Sequence, residues 1–159
     1  MKKNDQIKME LSSELAVSRF WVAVASKEHV ENGVKLGIAQ FCHGKIGPAR
    51  RIANGDWVIY YSSKLNFGQP DPCQMFTAIG KVINDIPYQV EMGNGFKSYR
   101  RDIKYLKAKP IGIRPLIDEL PFITDKKHWG SIFRYGFLEI DKHSFEVIAT
   151  HMLGRNPLD

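Results

Sequence analysis

The sequence predicts an α+β domain, a small β-barrel or curved sheet with short helices at its flanks. Three observations carry that expectation. Runs rich in β-branched and aromatic residues recur at 20–25, 57–61, 75–83 and 88–92. Helical patterning is short and sits at the two flanks, without the strand–helix alternation that builds a parallel βαβ sheet. The 159 residues suit one domain, and no repeat, low-complexity tract or linker divides them. The expected boundaries are 1–18, an arm or marginal helix with a small apolar patch (Met9, Leu11, Leu15, Val17), and 19–159, the folded domain.

Residues 20–25 (Phe-Trp-Val-Ala-Val-Ala) form a buried strand. Ser26 follows as an N-cap for a short helix that stops at Gly33 or Gly37. The segment 38–42 is too short to assign, and His43, Gly44, Lys45, Gly47 and Pro48 read as a loop. Asn54-Gly55-Asp56 is a turn that launches the strand 57–61. A polar loop at 66–72 precedes strands at 75–83 and 88–92, broken by Asn84-Asp85-Ile86-Pro87 and ended by Gly93-Asn94-Gly95. Residues 99–109 alternate apolar and basic side chains, as a half-exposed strand does. Short helices are expected at 115–120 and 125–135. A final helix over 142–153, capped by Asp141, places Phe145, Ile148, Ala149 and Met152 on one face.

Several function classes fall away on composition and spacing. No apolar run is long enough to span a bilayer, and the lysines at the N-terminus lead into no apolar signal segment. The expected location is the cytoplasm, with Cys42 and Cys73 as reduced thiols. The five histidines lack metal-ligand spacing, and the Gly44-Lys45 stretch lacks the rest of a phosphate loop. Cys42-His43 are neighbours in sequence, whereas catalytic dyads are made by neighbours in space, so Cys42 is expected to be packed.

Charge and aromatic content point the other way, towards a polyanion. Lys+Arg exceed Asp+Glu by 23 to 17, a formal charge of +6. The bases gather at Lys45-Arg50-Arg51, at Lys97-Arg100-Arg101-Lys104-Lys107-Lys109, and at Lys126-Lys127 with Arg134. The second group contains a single acid, Asp102, and solvated faces usually mix signs, so it suits phosphate contacts. Rings for a base and cations for a backbone are the pair a nucleic-acid reader needs. In the strand after Asp56, Trp57, Ile59 and Tyr61 share one face, and Val58 and Tyr60 the other. One face packs a core; the other is available to line a cleft.

Five segments carry a resemblance. They are Phe20-Trp21-Val22-Ala23-Val24-Ala25-Ser26, Gln40-Phe41-Cys42-His43-Gly44-Lys45 with Pro48 and Arg51, and Gly55-Asp56-Trp57-Val58-Ile59-Tyr60-Tyr61-Ser62. Pro115-Leu116-Ile117 with Leu120-Pro121-Phe122-Ile123, and Trp129 with Phe133-Arg134-Tyr135-Gly136, complete the set. In order and spacing over residues 19–153 they resemble an EVE domain, of the PUA-like superfamily that includes the YTH and ASCH domains. The resemblance implies a PUA-like pseudo-barrel that binds nucleic acid carrying a modified base, modified cytosine in DNA being favoured, in an aromatic-lined cleft. It implies no catalysis, and no cofactor or metal is expected. Carried onto this chain, Trp21, Ser26 and Lys27 meet Tyr61, Ser62 and Ser63 at the cleft. The segment Gln40, His43, Lys45 covers it, and Trp129 to Arg134 close the far side. Ser26, Gln40 and Ser62 are the groups expected to read the base edge.

The expected backbone contacts, which rest on composition alone, are Arg50, Arg51, Lys97, Arg100, Arg101 and Lys104. The rival readings are an RNA-binding module, an enzyme acting on a nucleobase or nucleotide with His43, Lys45 and Asp56, and a partner-recruiting subunit. The sequence sets no oligomeric state.

Overall fold

The computed structural model describes residues 17–159. The expected arm over 1–18 lies outside them except for Val17 and Ser18, and Val17 is exposed. The first strand, β1 (Phe20–Val24), lies parallel to β3 (Trp57–Lys64) and antiparallel to β8 (Phe137–Ile140). Antiparallel pairing then carries the sheet from β3 to β4 (Pro72–Val82), to β6 (Lys97–Tyr105) and to β2 (Ile38–Ala39), in the order β2-β6-β4-β3-β1-β8. A hairpin strand β5 (Tyr88–Glu91) joins β6, and β7 (Ile111–Gly112) joins β4. The product is a mixed sheet curled into a half-barrel with short helices, the α+β architecture the sequence predicts.

Strand parity divides the interior in two. Phe20 and Val22 of β1 join Trp57, Ile59 and Tyr61 of β3 in one core, covered by Phe145, Ile148, Ala149 and Met152 of α3 (Lys142–Leu153). Trp21 and Ala23 join Val58 and Tyr60 in a second core with Val30, Phe41 and Phe137. The alternation expected for β3 therefore holds. Its consequence does not, because the sheet curls over the Val58/Tyr60 face and buries it. Two buried faces explain why β1 and β3 read as almost unbroken apolar runs.

The helix α1 (Lys27–Leu36) begins at Ser26, whose hydroxyl accepts from His29 N at 3.4 Å, and ends at Gly37 with φ 67°. Gly33 stays inside it. A Cβ there would lie 2.9 Å from Ile38 O, so the glycine allows a close approach and does not act as a stop. The expected loop at 43–48 instead supplies a turn of 3-10 helix, η1 (Cys42–Gly44), and a short helix α2 (Ile46–Arg51) with Pro48 in its first turn, where a missing N–H costs nothing. The helices expected at 115–120 and 125–135 are 3-10 segments, η2 (Arg114–Glu119) and η3 (Trp129–Tyr135). The strands β7 and β8 have no counterpart in the sequence pattern, and β6 ends at Tyr105 rather than 109.

Two buried charges hold the seam between these parts. The Asp56 carboxylate, 3% exposed, accepts from Arg19 N at 2.9 Å, Trp21 Nε1 at 3.0 Å and Ala53 N at 2.9 Å. The Arg101 guanidinium, 1% exposed, donates to Ala49 O at 2.9 Å, to Ile52 O, and to Asn84 O and Oδ1. Ala49 O and Ile52 O lie at the C-terminal end of α2, where carbonyls have no helical partner, so Arg101 caps that helix from inside the sheet. Burial lowers the basicity of this guanidinium.

Removing the Asp56 carboxylate leaves buried donors unmet, each at a cost of about 1–3 kcal/mol. Asp56→Ala is accordingly expected to lose about 3 kcal/mol in a urea unfolding curve. A change within about 0.5 kcal/mol, the range of an ordinary surface substitution, would contradict this role.

Candidate binding site

Parallel pairing brings the C-terminal ends of β1 and β3 to one edge of the half-barrel. Ala25 N donates to Tyr61 O at 3.2 Å, and Val24 N donates to Gly136 O at 2.9 Å, so the segment after η3 is fastened to the same edge. Gly136 has φ 77°, and a Cβ on it would sit 3.1 Å from Cys42 Sγ, so both backbone and space favour glycine here. Cys42 Sγ lies 3.9 Å from Tyr135 O, and the His43 ring meets Phe67 edge-on at 5.8 Å. Helix α1, η1, η3 and the β3–β4 loop thus converge.

On the outer side of η3 is a cavity of about 510 Å³, within the roughly 300–1,000 Å³ range of ligand pockets. Its walls include Ile123, Thr124, Asp125, His128, Trp129, Ser131, Ile132, Arg134 and Tyr135. Asp125 accepts from His128 N at 3.1 Å and pairs with His128 Nδ1 at 3.0 Å, which closes the loop before η3. These bonds, the backbone one foremost, hold the Asp125 carboxyl below the usual carboxylate range. Ser131 Oγ donates to His128 O at 2.9 Å. Arg114 Cζ stands 5.3 Å from the Trp129 ring centroid, and its Nε donates to Gln74 Oε1 at 3.0 Å. Phe133 fixes η3 to the sheet by stacking on Tyr61 with ring centroids 4.0 Å apart.

Backbone strain gathers here as well. Cys42, His43 and Gln74 are three of the four non-glycine residues with positive φ among those described, at 48°, 61° and 55°. Such conformations cost on the order of 1–3 kcal/mol each and persist where their surroundings hold them. Gly44 helps to hold η1, because a Cβ on it would fall 2.5 Å from Ser98 Oγ.

The residues singled out from the sequence fall in four places. Trp129 and Arg134 line the cavity together, and Tyr61 lies on the same side, beneath Phe133. Ser26 and Lys27 open α1 at the shared edge; Lys27 borders a hollow of about 200 Å³ with Glu28, Glu31, Leu65 and Asn66. His43 and Lys45 are exposed on and beside η1. Gln40 instead faces the β5–β6 hairpin, where its amide oxygen accepts from Arg100 Nε at 2.6 Å and Nη2 at 3.0 Å.

Five residues do not serve as expected. Gln40, turned to the hairpin, does not cover the cleft, and Tyr61, 2% exposed beneath Phe133, belongs to the core and offers no face to a base. Trp21 is 2% exposed, stacked on Phe137 at 4.7 Å and bonded to Asp56, so it belongs to the core. Ser62 is fully buried, with its hydroxyl 2.8 Å from Thr77 Oγ1. Arg101 is interior and its donors are occupied, which removes it from any phosphate surface. Of the remaining cations, Arg50, Lys97 and Lys104 are exposed and Arg100 is half-buried. The Arg51 guanidinium rests over Phe137 at 5.1 Å and Trp21 at 5.8 Å.

Sequence reasoning misses Phe67, Arg114 and Tyr135 as site residues. Phe67 and Tyr135 are exposed at 67% and 77%, and a lone ring in a polar loop is the only sequence signal for the first. Cys42 and His43, adjacent in the chain, point to different partners, Tyr135 and Phe67. Among the described residues, no group of three His, Cys, Asp or Glu side chains is placed to hold a metal. No helix there is long and apolar enough to cross a membrane.

Tyr61 gives the site a pH signature. Burial pushes its phenol up to about 12. Between pH 10 and 12 the folded state keeps a proton that the unfolded state has lost, so the stability contributed by the neutral phenol falls as pH rises through that window. Urea unfolding of the wild type and of Tyr61→Phe is expected to show a shallower alkaline decline in the variant. Parallel declines would contradict it.

Comparison with known proteins agrees with this architecture. The family model for the EVE domain matches residues 19–151. A UPF0310 protein of Bacillus licheniformis is 46% identical over 128 residues, covering 80% of this chain and 87% of its own. One from Mycolicibacterium vanbaalenii is 44% identical over 133 residues, covering 84% and 92%. Two solved structures share the fold at low identity. A hypothetical protein from Leishmania major matches with TM-score 0.54 and 11% identity over 84% of this chain and 93% of its own. A Rhodopseudomonas palustris protein matches with TM-score 0.52 and 17% identity over 84% and 92%. The half-barrel, its converging strand ends and the match across nearly all of the described residues place this chain in the EVE domain family.

Proposed function

We propose that this protein binds nucleic acid carrying a modified base without catalysis, and that the base enters the cavity beside Trp129. Family membership and the PUA-like fold are consistent with nucleic-acid binding in general. The cavity carries the finer reading. It is large enough for a ligand, has a tryptophan in its wall, and has Arg134 and the exposed Tyr135 at its margin. Modified cytosine in DNA is the favoured ligand, and the cytoplasm is the setting the proposal assumes.

The energetics suit a reader of unstacked bases. Flipping a base costs a few kcal/mol, and stacking on a ring returns about 1–3 kcal/mol. Burying one methyl-sized mark adds only about 0.8 kcal/mol, so preference for the mark requires a close fit and is expected to be modest. Ser26, Lys27, His43 and Lys45 remain proposed contacts along the edge where β1 and β3 end, with Tyr61 as a positioning residue that seats Phe133. Arg114 joins them through its place over Trp129. Arg50, Lys97, Arg100 and Lys104 are the proposed backbone contacts. The divergence of the Cys42 and His43 side chains supports binding rather than thiol chemistry.

The test is fluorescence anisotropy with oligonucleotides of one sequence: DNA with 5-methylcytosine, plain DNA, and RNA. The wild type is expected to prefer the methylated DNA. Trp129→Ala should weaken it about tenfold or more while leaving the salt dependence unchanged. Lys97→Ala with Lys104→Ala should instead weaken binding of all the oligonucleotides. It should also flatten the log–log salt slope by about one unit for each phosphate that is no longer neutralised. Equal affinity for methylated and plain DNA would overturn the modified-base reading, and preference for RNA would overturn the choice of polymer.

A further inference from the structure

We propose that the tip of the β5–β6 hairpin, residues 92–96, is a wedge that enters a nucleic-acid duplex next to the base taken by the cavity. This rests on the base-binding reading above and adds a second element to it. Met92 and Phe96 are 48% and 55% exposed at the end of a two-stranded ribbon. The tip is an ordered turn. Gly93, Asn94 and Gly95 all have positive φ, Met92 N donates to Phe96 O at 2.7 Å, and Phe96 N donates to Gly93 O at 3.0 Å. Arg100 Nη2 lies 3.4 Å from Met92 Sδ and is itself held by Gln40, so the thioether and the guanidinium share one face.

Two large apolar side chains are too few for a protein interface, which buries about 800 Å² on each partner. They match the apolar wedges that minor-groove proteins push between base steps, partly unstacking them. The charge around them suits phosphates: Lys97 and Arg100 stand near the tip against a single acid, Glu91, which lies opposite Lys97 in the ribbon's register. The tip is also joined to the cavity through packed contacts. Gly44 of η1 lies against Ser98 of β6, and Cys42 of η1 against Tyr135 at the cavity wall. A wedge and a base pocket linked through η1 would divide the work, one opening the stack and the other holding what leaves it.

Three probes of one sequence separate opening from holding. They are a fully paired DNA duplex with one 5-methylcytosine, the same duplex with an abasic site opposite that base, and the methylated single strand. Phe96→Ala and the Met92→Ala/Phe96→Ala double variant change only exposed side chains, and unchanged thermal melting verifies their folding. The expected result is about tenfold weaker binding of the paired duplex, with the abasic-opposed duplex and the single strand within about twofold of wild type. A 2-aminopurine beside the methylated base should brighten with wild type and stay dark with the double variant. Equal weakening of all three probes, or no weakening of any, would overturn the wedge. A concentration-dependent dimer in sedimentation that Phe96→Ala abolishes would also overturn it, because the tip would then be a contact between copies. Wild-type protein that binds none of the three probes would instead overturn the base-binding reading beneath it. Cavity binding that survives with duplex binding indifferent to Phe96 would leave that reading standing and remove the wedge alone.

Discussion

The fold depends on one buried carboxylate. Asp56 ends the turn after α2 and binds the backbone of Arg19, the indole of Trp21 and the backbone of Ala53. Trp57 N then donates to Arg19 O at 3.0 Å, which starts the parallel β1–β3 ladder in register. A parallel pair has no hairpin to align it, so an anchor at its start does the work that a tight turn does elsewhere. Once β1 and β3 run side by side, their C-terminal ends emerge together. The start of α1, the β3–β4 loop and the return from η3 to β8 must then share that edge. The candidate site is a consequence of where Asp56 sets the register.

Arg101 plays the complementary part on the same stretch of chain, donating to Ile52 O next to the Ala53 N that Asp56 holds. It ties β6 to the end of α2 and to Asn84, so the segment that closes the curled sheet is fastened by an interior cation. Its charge serves assembly and not ligand capture. The surface cations that remain for a polyanion are thus fewer than the base-rich stretch around β6 suggests, and they lie at Lys97, Arg100 and Lys104 with Arg50 and Lys45.

Much of this was legible in the sequence. The alternation in Trp57-Val58-Ile59-Tyr60-Tyr61 specified two faces, Ser26 and Asp141 marked helix starts, and Phe145, Ile148, Ala149 and Met152 marked the buried side of the last helix. What was missed has physical reasons. β8 is four residues long and follows a 3-10 segment, so no period could declare it. Trp21 has the same sequence signature whether it lines a cleft or fills a core, and the hydrogen bond that decides between them comes from Asp56, thirty-five positions away. Arg101 is flanked by Arg100 and Asp102, and strand parity alone turns it inward while its neighbours face out. Phe67 and Arg114 gain meaning only from partners brought by the fold, His43 and Trp129.

The central claim is that a base binds on the outer side of η3. The most direct measurement is a titration of ¹⁵N-labelled protein with a short 5-methylcytosine DNA, followed by NMR. The account predicts that the largest shifts fall on the Trp129 indole N–H and on the amides of Ser131, Arg134 and Tyr135, with smaller ones at His43 and Ser26. Shifts confined to the far end of the sheet, around Trp57 and Lys81, with the Trp129 indole unmoved at saturation, would contradict it.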